Sequence, residues 1–562
     1  MEYVALEVER PGAGGTDGPV HGIERDMEPG PRYNPDRFVR RLYRYYVGRG
    51  LRCMLTTEAL DIARICFICF LAITTLGATS YGDLGRRAHH HTCPDGSDNG
   101  ATLFEADCYG NRPVSYARLR TGARGGLAGA VVAASAVYLA YRVLRTAVGL
   151  GSLVETRRFY RDRLGVSDAT LQTARWDEDI VPRLLAISSN TSLTALHVTG
   201  FLTRRDNFLI ALLQDKHLRS TFFGRDFYPL VLHRALSDTF AACIYDGAAV
   251  RVTRNTVQHA AHSMRRNLRQ QAAGYLVLMP LVMVLRIVHA VFQYANEWRS
   301  SPSTLGLRQW TALARWRMRH YCEPPHVHER RLARAHRPAG QYVAMFHSEL
   351  AAVLARFLVF VLVGAFTLLL LLTLVFDEGM LVVALTPGRT ITWWLGVLGI
   401  GAGLCRAFVP DENAVPRPAA KMQEIIALTH FEPVPGCTAR EHCAEVKDAF
   451  QRLFAPRILV LLDELLGVVL APVYLGIVYP AQAEHICDAF AELQRTDAVV
   501  GTVCVYAQLD AQVDAQPQPD HMSVGGSASM SSSLVHFQQR NPQWLPQAMA
   551  GSRGGVLLSR DA

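Results

Sequence analysis

The 562-residue sequence predicts an all-α polytopic membrane protein, with four transmembrane helices, two re-entrant membrane segments and a helical cytoplasmic layer. Three observations predict it. Half of the residues are hydrophobic and 19% are charged, with a mean hydropathy of +0.10, too apolar for a soluble chain of this length. Four runs are long and apolar enough to cross about 30 Å of hydrocarbon at about 1.5 Å per residue. Arginine clusters between these runs where it would hold the flanking loops on the cytoplasmic side. The formal charge of +9 comes almost wholly from arginine, Lys216, Lys421 and Lys447 being the only lysines. Codon usage explains that skew, and no nucleic-acid-binding motif accompanies it, so no nucleic-acid partner is expected.

The elements follow in chain order. Residues 1–36 are Gly, Pro and charge, expected as a disordered cytoplasmic N-terminus. They contain no apolar run of the signal-peptide kind, so the first spanning helix is expected to be its own insertion signal. Residues 37–149 hold the first transmembrane pair, ALDIARICFICFLAITTLGA (59–78) and GGLAGAVVAASAVYLAYRVL (125–144), joined by a lumenal loop. The small residues of the second suit close helix packing. RFVRRLYRYYVGRGLR (37–52) and ETRRFYRDR (155–163) place the N-terminus and the 150–273 region in the cytoplasm. Against this, Arg86, Arg87, Arg112, Arg118 and Arg120 fall in the lumenal loop. The 150–273 region mixes apolar and charged residues at helical spacing, as in FYPLVLHRALSDTF (227–240), without the alternation of strands.

GYLVLMPLVMVLRIVHAVFQYA (274–295) contains Pro280, Arg286 and His289. A crossing here would carry the densest Arg cluster, 298–337, across the membrane, so 274–297 is read as re-entrant and 298–350 as basic cytoplasmic helices. The second transmembrane pair occupies 351–409, with Arg406 at its inner end, and 410–455 returns to cytoplasmic helices. RILVLLDELLGVVLAPVYLGIVYP (457–480) could span by length but carries Asp463, Glu464 and Pro472. A charge at the centre of a spanning helix costs about 2.5 to 3.5 kcal/mol. Two half-helices broken near Pro472 would keep both acids shallow or facing a wet cavity, so 456–480 is read as the second re-entrant segment. The alternative is an amphipathic helix lying on the cytoplasmic leaflet. Residues 481–510 continue the cytoplasmic helices, 511–533 read as a polar disordered linker, and 534–562 as a C-terminal clasp and tail.

No Walker loop, Gly-x-Ser-x-Gly elbow or zincin helix occurs, so no catalytic residue, cofactor or enzyme activity is expected. HHHTC (89–93) and PPHVHE (324–329) lack the paired spacing of a zinc site and are read as solvated loops. Cys93 and Cys108 share the lumenal loop, where an oxidising compartment could join them in a disulfide. Six polar residues remain at membrane depth: Arg286, His289, Arg299, Arg406, Asp463 and Glu464. Together they suggest a polar path beside lipid; the plainer reading of each, with most weight at Arg299 and Arg406, is snorkelling to the interface.

Several of these stretches carry a resemblance. RCMLTTEAL at the first helix is followed in order by FQYANEWRSSPSTLG, RHYCEPPHVHERRLARAHRPAGQY, CRAFVPDE, LVLLDELLGVVLAP and SLVHFQQRNPQW. The sequence resembles, over about residues 36–546, the autophagy-related protein nine family of lipid scramblases. The resemblance implies a domain-swapped homotrimer with a central pore and a lateral opening. It implies phospholipid substrates, and lipid-transfer and other autophagy proteins as partners. It also implies residence in Golgi-derived and endosomal vesicles and the preautophagosomal membrane, with both termini cytoplasmic. The family's basic position after the first re-entrant segment falls on Arg299, whereas its neighbouring charged pair is replaced by Ser300 and Ser301. The family's Cys-Arg-x-Phe turn is kept as Cys405, Arg406 and Phe408. YVAL, with Tyr3 and Leu6, is similar to sorting signals read by clathrin adaptors, a pattern short enough to arise by chance. The expected function is ATP-independent phospholipid scrambling during growth of the autophagosomal membrane. An ion channel or secondary transporter with re-entrant helices is the competing class, and a purely structural scaffold the third.

Overall fold

Polarity along the chain sorts the helices into two environments before any tertiary contact is considered. The computed structural model describes residues 35–72, 74, 79–80, 122–187, 193–218, 220–246, 249–300, 308–346, 349–376, 381, 384–386, 389–406, 409, 417–431, 444–509 and 524–544. Tyr3, Leu6, Cys93, Cys108 and the HHHTC stretch lie outside them.

The amphipathic helix α1 (Pro35–Val47) buries Phe38, Val39, Leu42, Tyr43, Tyr45 and Tyr46. It leads through the left-handed turn at Arg49 and Gly50 into α2 (Leu51–Ala72). The long α3 (Gly122–Asp162) packs on α2. Short α4 (Val181–Ile187), α5 (Ala195–Gln214) and α6 (Leu230–Cys243) precede the 44-residue α7 (Val257–Ser300). Then come α8 (Ala312–Arg317), α9 (Pro325–Ala344), α10 (Glu349–Phe376), α11 (Ile391–Arg406), α12 (Pro418–Thr429) and α13 (Ala444–Leu453). A rod of α14 (Arg457–Val473), a π turn (Tyr474–Val478) and α15 (Tyr479–Leu493) follows, and α16 (Val524–Arg540) closes the described chain. The strands of the described residues form two-stranded antiparallel ribbons only. One of them, Arg308–Trp310 with Phe454–Pro456, ties the start of α14 to the segment leading into α8.

Three apolar cores organise the helices. One gathers α5, α6, the first half of α7, α15 and α16. A second joins α1, the end of α3, α4 and the start of α5. The third lies between α9, α12 and α13. Elsewhere the apolar side chains face outward: Phe357, Phe360, Leu368, Leu374 and Val375 of α10 are all exposed, as are Val137, Leu144 and Val148 of α3. Among the described residues three helical stretches are long and apolar enough to cross a membrane, Ala136–Asp162, Ala352–Val375 and Arg457–Leu493, with Ile391–Arg406 a shorter one. The expected 59–78 span begins on α2, and its last residues lie beyond the described end of that helix.

The structure corrects four sequence readings. The domain boundaries at 149/150, 273/274 and 480/481 fall inside α3, α7 and α15, because a helix leaving an apolar medium keeps its internal hydrogen bonds and has no reason to end there. Residues 457–480 are not two half-helices: the rod stays helical throughout, with a π turn at Tyr474–Val478 just after Pro472. Pro280 likewise sits inside an unbroken α7. The linker read as 511–533 is too long, since α16 starts at Val524 and already buries Met530 and Ser533. PPHVHE is no solvated loop: Pro324 caps α9 and Pro325 opens it, and His328 is buried. Proline at the first helical position loses nothing, because that N–H has no intrahelical partner.

Candidate functional site

The two segments read as re-entrant meet in one antiparallel pair. Arg265 of α7 donates from Nε to the Pro480 carbonyl at 3.1 Å and from Nη2 to Glu484 at 3.0 Å. Further along α7, Ala272 lies against Gly476. Positions rise on α7 as they fall on the rod, so the helices run in opposite directions. The first half of α7 and α15 are sealed in the core by Met264, Leu268, Ile486 and Phe490. The other halves leave it: Leu276, Val277, Ile287 and Val291 of α7 and Ile458, Leu462, Val469, Val473 and Ile477 of the rod are exposed. Spacings of four and seven residues put the rod's set on one helical face.

The opposite face of α14 is held by close contacts. Gly467 lies against Pro229 so tightly that a Cβ at 467 would sit 2.5 Å from the proline Cβ. Tyr474 donates its hydroxyl proton to the Thr221 carbonyl at 2.7 Å. Glu464 accepts from the Leu230 N–H at 3.0 and 3.2 Å through its two oxygens. That N–H is the first of α6, whose N-cap is Pro229 and has no capping side chain of its own. A carboxylate there satisfies an orphan donor and complements the helix dipole. Glu464, one of the six polar candidates, is thus a helix cap supplied from 234 residues away. Asp463, one position earlier, is exposed and has Arg225 as its charged neighbour. Arg286 and His289 are half-buried on the outgoing half of α7. Arg299 lies in the last turn of α7, and its side chain is outside the described set. Arg406 is exposed at the end of α11. Of the six membrane-depth candidates, the fold thus brings Arg286, His289, Asp463 and Glu464 onto one helix pair.

Two charged clusters escaped the sequence reading. Arg142 of α3 is 8% exposed and donates from Nη2 to Glu58 of α2 at 2.8 Å. Opposite charges inside two neighbouring apolar runs were the available signal. The second is a buried knot. Glu323 takes Arg331 bidentately, Nε to Oε1 at 3.0 Å and Nη2 to Oε2 at 2.9 Å, with His328 at 3.3 Å. Burial opposes ionisation of Glu323, but the Arg331 charge and the hydrogen bonds to it hold the carboxyl well below its usual range. Arg331 also donates to the Leu428 and Thr429 carbonyls that end α12. His326 shares its Nδ1 with the Tyr43 hydroxyl at 2.8 Å. On the knot lies α16: Ser533 accepts from the Tyr321 N–H at 3.0 Å, and His536 stacks on His320 at 5.0 Å, which meets His430 at 4.7 Å. Arg540 closes the clasp on Asp177 at 2.9 Å. Among the described residues no group of three or more His, Cys, Asp or Glu is placed to hold a metal.

A mostly helical protein with outward-facing apolar helices, and with charged side chains gathered on an antiparallel pair that leaves the core, defines a polytopic membrane protein of the helical class. Comparison with known proteins narrows this: the family model described as "Autophagy protein ATG9" matches residues 32–510, and the chain belongs to that family. Autophagy-related protein 9 of Kluyveromyces lactis is 27% identical over 499 residues, covering 85% of this chain and 52% of that protein. Its counterpart in Mycosarcoma maydis is 28% identical over 601 residues, covering 94% and 72%. The chain therefore spans about half the length of the first of these relatives. The cryo-EM structure of Schizosaccharomyces pombe Atg9 shares the fold, with a TM-score of 0.61 at 23% identity over 84% of this chain and 98% of that one.

Proposed function

We propose that the chain is an ATP-independent phospholipid scramblase that re-equilibrates leaflets while the autophagosomal (phagophore) membrane expands. The observation that carries this reading is the α7 and α14–α15 pair, where an outward apolar stripe and the polar residues Arg286, His289 and Asp463 share the same two helices. Lipid tails can stay against the stripe while a headgroup exchanges water for protein dipoles and charges. That exchange lowers the cost of taking charge into a low-dielectric layer. No covalent step is required, so the chain acts without enzyme chemistry or a cofactor. Family membership adds the rest of the proposal: a homotrimer with a central pore, residence in Golgi-derived and endosomal vesicles, and lipid-transfer and other autophagy proteins as partners. Clathrin adaptors would read Tyr3 and Leu6.

The test is reconstitution. Liposomes holding the purified protein and an NBD-labelled phosphatidylcholine are treated with dithionite, in parallel with a trapped ion-sensitive dye. Exposure of inner-leaflet label without ion flux is the expected result. Ion flux without lipid exchange would instead establish the channel or transporter reading.

A further inference from the structure

Glu58 and Arg142 join α2 to α3, and much of the outer surface around the junction is apolar. Val137, Tyr138 and Tyr141 precede Arg142 as exposed residues, and Val143, Leu144 and Val148 follow it; Leu60 is exposed on α2. Apolar, outward-facing neighbours of this kind suit lipid contact, and beside lipid a charge is costly unless it is paired or used. Arg142 is also incompletely used. Glu58 takes Nη2, while Nε is buried without an acceptor among the described residues. An orphaned donor of this kind is an unfavourable arrangement that an incoming oxygen relieves. More charge lies on the same face of α2, because Asp61 and Arg64, at 3.2 Å from each other, follow Glu58 at helical spacing. Beyond α3, α2 also packs on α7, the helix that carries Arg286 and His289.

We infer that Arg142, held by Glu58, is a contact for the phosphate of a glycerophospholipid headgroup passing between α2 and α3; the inference rests on the scramblase reading. The phosphate oxygen accepts from the guanidinium donors left over by Glu58, reaching Nε when the two helices part. The acidic oxygens of Glu58 lie beside it, which suits a zwitterionic headgroup whose amine follows its phosphate. A lipid with a sugar in place of the phosphate gains nothing from Arg142.

Arg142→Lys tests this, since lysine keeps the charge opposite Glu58 but lacks Nε and the planar fork. Reconstituted wild type and variant are compared on NBD-phosphatidylcholine and on NBD-glucosylceramide, with thermal unfolding in detergent as the folding control. The expected result is an unchanged unfolding temperature, phosphatidylcholine exchange slowed roughly tenfold, the scale of one charge-assisted hydrogen bond, and glucosylceramide exchange unchanged. Equal slowing of both lipids would make the pair a structural staple and overturn the inference, as would no slowing of either. Inorganic phosphate added to the buffer should leave wild-type exchange unaltered; inhibition would mean that a soluble anion reaches Arg142 and would overturn the lipid assignment. If the wild type exchanges neither lipid, the scramblase reading itself fails. Native mass spectrometry then decides the inference: phosphatidylcholine retained by wild type and lost from the variant supports it, and equal retention overturns it.

Discussion

Asp463 and Glu464 are neighbours in sequence and opposites in the fold. Adjacent helical residues point about 100° apart, so on a helix with one covered face a pair of acids divides into one outward and one inward side chain. Glu464 turns inward to the start of α6, and Asp463 stays exposed. Removing the cap by Glu464→Ala should destabilise the protein by about 1 kcal/mol, as loss of an N-cap side chain does. Glu464→Gln should cost less, since the amide oxygen still accepts from Leu230. Asp463→Asn should leave the unfolding temperature unchanged. Thermal unfolding of the three variants in detergent checks the order, and an Asp463 variant as damaged as Glu464→Ala would contradict the division. The sequence marked both acids as unusual from their setting in an apolar run. Their different roles depend on Leu230, which lies 234 residues from Glu464, and no local pattern points to it.

At the scale of elements, α16 is the helix whose hold depends most visibly on protonation. Burial pushes His536 down to about 4, with the Arg540, Arg331 and His430 charges acting in the same direction and Glu323 against them. Burial and Arg331 likewise lower His320 and His430, and burial lowers His328 despite its contact with Glu323. A free imidazole titrates near about 6.5, so the undocked helix takes up protons before the docked one does. Docking is at full strength above that value and is lost as pH falls toward the depressed value. Hydrogen exchange should therefore show the amides of 530–540 well protected near pH ~7 and less so near pH ~5 after correction for intrinsic rates. His536→Gln should flatten that difference, and protection independent of pH in the wild type would refute the linkage. The clasp was legible in the sequence as an apolar stretch after a polar one. Its histidine contacts were not, because they join residues 320, 430 and 536.

For the whole molecule, the arrangement of α7 decides the topology. Its first half is packed with α15 in the core and its second half turns an apolar face outward, so the helix enters the membrane from the side on which that core lies. With arginines dense after residue 298, both of its flanks should remain cytoplasmic. Cysteines introduced at Arg254 and at Arg330, in a cysteine-depleted background, should both react with an impermeant maleimide applied from the cytoplasmic side. Protection of one of them would make α7 a further crossing.

The membrane class, the helical character, the apolar runs and the unusual charges within 274–295 and 457–480 were all determined by the sequence, because hydropathy and helical period are local properties of the chain. Tertiary structure decided that these two segments are partners in one antiparallel pair, that prolines 280 and 472 leave helices continuous, that Glu464 caps α6, and that Arg142 meets Glu58. Each of these depends on atoms brought together from distant parts of the chain. Which side chain a helix turns inward is set by what packs against it, and that is a property of the folded whole.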